Sequence, residues 1–332
     1  MNDQSTGEPL LEVRDLRVTY RTRDSEIPAA RGVTFDVHPG EILAIVGESA
    51  SGKSTVGHAI LDLLPVGTSE MAGTVRWRGR DLSTMSEDEM RRLRGREVAV
   101  IFQDALAALT PTMTVGEQLA EVFKVHLEVG VDEARRRARE ALLNVMPNAD
   151  RVLDTHPFQL SGGMAQRVMI AMATALQPKM LIADEPTANL DPAVRQETLE
   201  WLERIRDAGG AVLLITHDFG VVARLADRVA VMYAGQLVET ADVRTAFRSP
   251  KHPYTYGLLQ SLPSFAEGGR LQAMPGQPPD LSTLPPECPF LPRCNKAIAT
   301  CRTSPAPPLL DMEDAPGHLA ACFNPMAVGL RD

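Results

Sequence analysis

Residues 47 to 55 read Gly-Glu-Ser-Ala-Ser-Gly-Lys-Ser-Thr, and no other stretch constrains the fold as strongly. A glycine, four free positions and then Gly-Lys-Ser form a phosphate loop, which needs a strand before it and a helix after it. The reason is electrostatic. Backbone amides of the loop and of the first helical turn must face one anion together. The flanks comply. Glu41 to Val46 is a short apolar run after Pro39-Gly40, suited to a buried parallel strand. A helix is predicted from Lys53 to Leu64, stopped by Pro65. In such a loop Gly47, Glu48, Ser49, Ala50, Ser51 and Gly52 wrap the phosphates and Lys53 reaches the β- and γ-phosphates. Ser54 offers Mg²⁺ its hydroxyl, and Thr55 completes the motif.

Further polar groups stand at predicted strand ends and helix starts. Leu181 to Glu185 is an apolar strand that leaves the sheet on two carboxylates. Asp184 suits the support of Mg²⁺ through its water shell, and Glu185 suits the polarisation of an attacking water. Ser161-Gly162-Gly163 opens another helix, so its amides and hydroxyl make a second anion cradle, although a plain helix cap has the same pattern. One chain with two cradles fits a dimer in which each copy grips the γ-phosphate held by the other. Gln103 ends a strand within reach of Mg²⁺ or the lytic water, His217 follows an apolar strand and suits a γ-phosphate contact, and the Tyr20 ring suits stacking on adenine.

The rest of the chain reads as an α/β protein with an insertion. Leu11, Val13, Leu16, Val18 and Tyr20 mark an antiparallel strand, Val33 to Val37 a second and Thr74 to Trp77 another edge strand. Ser86 and Glu89 fit a capping box, and Val98 to Phe102 is a strand. Residues 104 to about 176 are mostly helical, with helices from Val115 to Leu127, Asp132 to Met146 and Gly162 to Leu176. The α/β pattern resumes with strand Met180 to Ala183, helix Ala193 to Ala208, strand Ala211 to Thr216 and a hairpin around Ala234-Gly235. Beyond residue 250 proline is dense, so an irregular tail is expected. These divisions predict an ATPase domain over 8–250, a helical subdomain over about 104–176 within it, and an extension over 251–332.

Net charge is −9, which disfavours broad nucleic-acid binding. Arg135, Arg136, Arg137 and Arg139 form a short basic run that reads as a solvated helix face. No apolar run is long enough to span a bilayer. The N-terminus, Met1 to Glu8, carries neither basic nor apolar stretch, so the chain is expected to stay in the cytosol.

In this order the motifs resemble those of the ATP-binding cassette (ABC) ATPases over about residues 8–245. Tyr20 matches the family's adenine-stacking aromatic, Gly47 to Thr55 its Walker A, Gln103 its Q-loop and Leu160 to Gln166 its signature. Met180 to Glu185 matches the Walker B, Asn189-Leu190-Asp191 the D-loop and His217 the switch histidine. The resemblance implies a P-loop ABC nucleotide-binding domain with an antiparallel β subdomain, a helical insert and a Pro/Cys-rich C-terminal extension. Glu185 and His217 would be catalytic, Gln103 a Mg²⁺ contact, and Ser161, Gly162, Gly163, Gln166 and Asp191 contacts to the partner's nucleotide. After Gln103 the sequence Asp104-Ala105-Leu106-Ala107-Ala108-Leu109-Thr110-Pro111 lacks one proline usual there, which bears on the docking surface of the insert.

The tail is similar to the extension of oligopeptide/dipeptide importer ATPases, through His252-Pro253-Tyr254-Thr255, Pro275-Gly276-Gln277-Pro278-Pro279 and Cys288-Pro289-Phe290-Leu291-Pro292-Arg293-Cys294. Such subunits bind ATP and Mg²⁺ and pair with a second, often non-identical ATPase subunit. They drive two membrane permease subunits fed by an extracytoplasmic solute-binding protein, from the cytoplasmic face of the membrane. Nickel and some sugar importers share the extension, so the solute stays open. A soluble ABC ATPase acting on nucleic acid or ribosomes is the rival, but tandem cassettes, long coiled coils and inserted zinc modules are lacking.

All four cysteines, Cys288, Cys294, Cys301 and Cys322, lie in the tail. Clustered thiols in a cytosolic chain suggest metal ligation. Zn²⁺, a 4Fe–4S cluster, free thiols and a disulfide are all compatible with the spacing, and the resemblance favours the cluster.

Overall fold

The computed structural model describes residues 7–262 and 274–327. The polar stretch Met1 to Thr6 lies outside the described residues, as do 263–273 and 328–332 of the predicted extension. The chain divides into two compact units, one drawn from Met1–Ser83 and Ile215–Asp332, the other Thr84–Leu214.

The first unit opens with β1 (Leu11–Arg21), β2 (Glu26–Val37), β3 (Ile42–Val46), α1 (Lys53–Ile60), β4 (Ser69–Trp77) and β5 (Arg80–Asp81). Strands β2, β1, β4 and β5 form an antiparallel sheet in that order. Leu11 and Val13 are buried, and so are Leu16 and Val18. The odd step between the two pairs is a bulge at Asp15 (φ 47°), where the register shifts against both neighbours. Strand β2 begins well before the predicted Val33, and Pro28 had masked it. β2 is an edge strand, where a missing N–H is tolerated. Helix α1 ends at Ile60, short of the predicted Leu64. Leu63 N–H bonds His58 O at 2.9 Å and Asp62 N–H bonds Ala59 O at 3.1 Å, a Schellman closure with Asp62 left-handed at φ 52°.

The second unit holds α2 (Glu87–Arg96), β6 (Val98–Ile101), α3 (Ala105–Ala108), α4 (Val115–Leu127), α5 (Val131–Leu143), α6 (Ala149–Leu153), α7 (Gly162–Thr174), β7 (Met180–Asp184) and α8 (Pro192–Asp207). Strands β6 and β7 pair in parallel, Val98 with Met180 through Ile101 with Ala183. The expected capping box at Ser86 and Glu89 is present, and a second forms at Thr114 and Glu117 ahead of α4. The basic run lies on α5, where Arg136 and Arg137 pair with Glu133, Arg136 also with Glu140, and Arg139 with Asp150. It is a solvated helix face, as its pattern suggested.

Within β8 (Ala211–Thr216) the chain passes back to the first unit, which continues with α9 (Phe219–Leu225), β9 (Arg228–Tyr233), β10 (Gln236–Asp242), α10 (Val243–Arg248) and α11 (Pro253–Gln260). β9 lies parallel to β3 and antiparallel to β10. Their hairpin turns through Ala234 (φ 47°) and Gly235 (φ 80°), the handedness that matches strand twist. The tail is more regular than its prolines suggest. Strands β11 (Leu310–Met312) and β12 (Ala315–Ala320) pair with each other, and β12 pairs with β10 through Glu239↔Ala320 and Thr240↔Leu319. A strand pairing set by residues so far apart leaves no local periodicity to read.

Candidate nucleotide site

Strand β3 is buried throughout, and it delivers the chain at Gly47 into the phosphate loop. The loop fits tightly into its own unit. A Cβ on Gly47 would stand 2.2 Å from Met232 O, and one on Gly52 2.0 Å from Ala29 O, so only glycine fits at either end. Gly52 (φ 101°) is the N-cap of α1, and no side chain caps that helix. The positive end of the helix dipole thus faces the loop without a capping side chain, which suits an anion. The Lys53 ammonium is buried in the loop and donates to Gly47 O at 2.9 Å, Glu48 O at 2.8 Å and Ser51 Oγ at 3.4 Å. Ser54, beside it, offers the hard oxygen donor that Mg²⁺ prefers. Ser49 and Ala50 are exposed on the loop, and Ala50 is left-handed at φ 62°. The Tyr20 hydroxyl lies 3.2 Å from Thr55 Oγ1, which brings the predicted adenine-stacking ring beside the loop.

Two residues of the tail reach the same loop. The Glu48 N–H donates to the Tyr254 hydroxyl at 2.8 Å, and the Glu48 carboxylate is held by Arg293. Burial pushes the Tyr254 phenol well above the ordinary tyrosine range, so it stays a neutral hydroxyl. Both lie in motifs that the sequence singled out, but no local pattern reveals their target.

In the second unit, β7 is buried to its end at Asp184, which is 3% exposed. Glu185 follows in the left-handed region (φ 46°), an unusual place for a residue with a Cβ, and its carbonyl accepts Ala188 N–H at 3.1 Å. Asp191 caps α8 by accepting from Ala193 N–H and Val194 N–H. Ser161 caps α7, its Oγ accepting Met164 N–H at 3.3 Å, while Ser161 and Gly162 remain exposed. Gln166 is 3% exposed and donates its amide to Pro186 O at 3.0 Å, which ties α7 to the segment after β7. Gln103 is exposed just beyond β6. In the first unit His217 is exposed after β8, and Asp218 caps α9. Tyr20, the loop and His217 thus share one unit, and Gln103, Ser161, Gly162, Gly163, Gln166, Asp184, Glu185 and Asp191 share the other.

The cysteines do not bear out the expected cluster. Cys288, Cys294, Cys301 and Cys322 line one small cleft together with Phe290, Leu291 and Phe323, and all are free. Among the described residues no group of three or more His, Cys, Asp and Glu side chains is arranged to hold a metal ion. Burial raises the thiol pKa of Cys288 and Cys294, and that of Cys322 to about 11. Neither the 4Fe–4S cluster nor the zinc alternative is retained. Nearness in sequence had suggested a common ligand without fixing how the side chains converge.

A family model described as ABC transporter matches residues 30–188, and one described as oligopeptide/dipeptide transporter, C-terminal region, matches 238–301. The chain is 48% identical over 321 residues to the oligopeptide transport ATP-binding protein OppD of Mycobacterium tuberculosis, covering 95% of this chain and 52% of that protein. It thus spans about half the length of that relative. To OppD of Escherichia coli it is 43% identical over 326 residues, covering 97% of this chain and 95% of that one. Among solved structures, the dimer of the ATP-binding cassette MJ0796 in a post-hydrolysis state bound to ADP and Pi matches with a TM-score of 0.62 and 27% identity, over 70% of this chain and 99% of that one. The fold and the phosphate loop are those of an ATP-binding cassette, and the chain belongs to the ABC ATPases of the oligopeptide transport ATP-binding family. No helix among the described residues is long and apolar enough to cross a membrane.

Proposed function

We propose that this chain is the ATP-hydrolysing subunit of a peptide-type ABC importer. It works at the cytoplasmic face of the membrane with a second, non-identical ATPase subunit, two permease subunits and, through them, an extracytoplasmic solute-binding protein. One observation carries the reading: a complete phosphate loop and a separate exposed serine-capped helix start at Ser161 occur in one chain with an oligopeptide-transporter C-terminal region.

The loop amides and Lys53 bind the phosphates, Tyr20 stacks on adenine, and Ser54, Gln103 and Asp184 are the donors offered to Mg²⁺, which supplies charge neutralisation. Ser161, Gly162, Gly163, Gln166 and Asp191 serve the nucleotide held by the partner. Glu185 polarises the attacking water and His217 contacts the γ-phosphate, so hydrolysis reopens the dimer.

Co-purification from detergent with two permeases, and ATPase activity stimulated by the binding protein and its peptide, test this reading. Glu185→Gln is expected to trap an ATP-bound dimer with turnover reduced about a hundredfold or more. Full turnover in that variant, or a preparation stimulated by nucleic acid or ribosomes instead, rejects it.

A further inference from the structure

Arg293 sits in the tail between Cys288 and Cys294 in sequence, with its side chain only 4% exposed. Its guanidinium grips the Glu48 carboxylate in parallel, Nη1 to Oε2 at 2.6 Å and Nη2 to Oε1 at 2.9 Å. Nε donates to Pro275 O at 2.8 Å, and the Tyr233 and Phe290 rings lie against the guanidinium at 5.9 and 5.8 Å. The arginine is fixed from several sides before it meets the loop. A second strap holds the same loop residue by its backbone, because Glu48 N–H donates to the hydroxyl of wholly buried Tyr254. The Tyr254 ring packs on Tyr233 at 4.5 Å and on Phe290 at 5.5 Å.

The chemistry of the loop makes this arrangement consequential. Glu48 places a carboxylate in a loop whose amides and lysine are set for a polyphosphate, and like charges at such range repel in a partly desolvated site. A bidentate arginine is the side chain best suited to neutralise a carboxylate and fix its geometry together.

We propose that Arg293 and Tyr254 are positioning residues for nucleotide binding, through which the C-terminal extension neutralises Glu48 and holds the phosphate loop open to a polyphosphate. The proposal rests on the reading of Gly47 to Thr55 as the nucleotide loop. It gives the extension a direct part in ATP binding, separate from any part in docking. In this role both residues act through Glu48.

Equilibrium binding of a fluorescent trinitrophenyl-ATP to the purified full chain with Mg²⁺ is the test. A wild-type chain that binds no nucleotide removes the underlying reading. If the wild type binds, Arg293→Ala is expected to weaken binding about tenfold, by freeing a charge beside the ligand. Adding Glu48→Gln to Arg293→Ala is expected to restore most of that loss, which a merely structural role for the arginine would not produce. Tyr254→Phe, which keeps the ring and removes the hydroxyl, is expected to weaken binding about threefold. Arg293→Gln reads the same quantity should Arg293→Ala not fold. Affinity within twofold of wild type in the arginine variants overturns the proposal, and so does a double variant that binds as weakly as Arg293→Ala.

Discussion

Glu239 in β10 lies 2.6 Å from Nε2 of His318 in β12, and both side chains are shut off from solvent. The same carboxylate accepts the backbone N–H of Lys251 at 2.7 Å and of His252 at 2.8 Å. One buried acid thus ties the end strand of the tail, the start of α11 and β10 into one unit. Glu239→Ala leaves all these donors without their acceptor, and a loss of about 3 kcal/mol is expected. Chemical denaturation monitored by circular dichroism measures it. A variant within about 1 kcal/mol of wild type would mean that water replaces the carboxylate without penalty.

His252 gives stability a pH dependence. Burial lowers its pKa from 6.5 to about 4, outweighing the opposite pull of Glu239. Its Nδ1 accepts Tyr254 N–H at 3.0 Å, a bond that requires the neutral ring. The unfolded chain takes up a proton below about pH 6.5 and the folded chain resists until about pH 4, so folding stability falls across that window. The contribution is at most about 3 kcal/mol. His252→Asn keeps a capping acceptor and removes the titration. Denaturation midpoints between pH 7 and pH 4 should decline less steeply in the variant than in the wild type, and parallel declines would assign the effect to other groups.

What could be read in the sequence was local. The phosphate loop, the buried strands around it, the Ser86–Glu89 capping box and the β9–β10 hairpin each depend on neighbouring residues, and each lies where its pattern put it. Legibility failed where distant residues decide. The skip from Val13 to Leu16 is explained only by the bulge at Asp15, and the early part of β2 hid behind Pro28 because edge position is a property of the sheet. Glu48 and Arg293 are separated by 245 positions, and although each lies in a motif, nothing local pairs one with the other. The tail cysteines failed in the opposite sense. Their spacing invited a metal, but among the described residues the side chains are not arranged to hold one.

Tyr20 offers a separation of ring from hydroxyl. Its hydroxyl meets Thr55 in the loop, and its ring is the proposed platform for adenine. Tyr20→Phe keeps the platform and is expected to bind ATP within about twofold of wild type, whereas Tyr20→Ala should weaken binding about fivefold. Calorimetric titration with ATP distinguishes them. Equal losses in both would place the contribution in the hydroxyl and remove the stacking role.

Gly52 is the most exacting position in the loop. Its φ of 101° is unfavourable for any residue with a Cβ, and that atom would lie 2.0 Å from Ala29 O and 2.9 Å from Met232 Cε. The methionine end can move, but the carbonyl belongs to β2 and cannot move without the strand. Gly52→Ala must therefore displace the loop, adding at least about 1–2 kcal/mol of backbone strain to the clash. Because Gly52 begins α1, that displacement also turns the first-turn amides away from the phosphates they are proposed to bind. Nucleotide affinity should fall more than about tenfold, a larger effect than the backbone strain alone would give. Gly40→Ala is the control, because Gly40 also has positive φ (69°) but a Cβ there would meet no atom within 4 Å. It should lose stability while retaining nucleotide affinity, and a comparable loss of affinity in both variants would show that positive φ, rather than the closeness of Ala29, governs the loop.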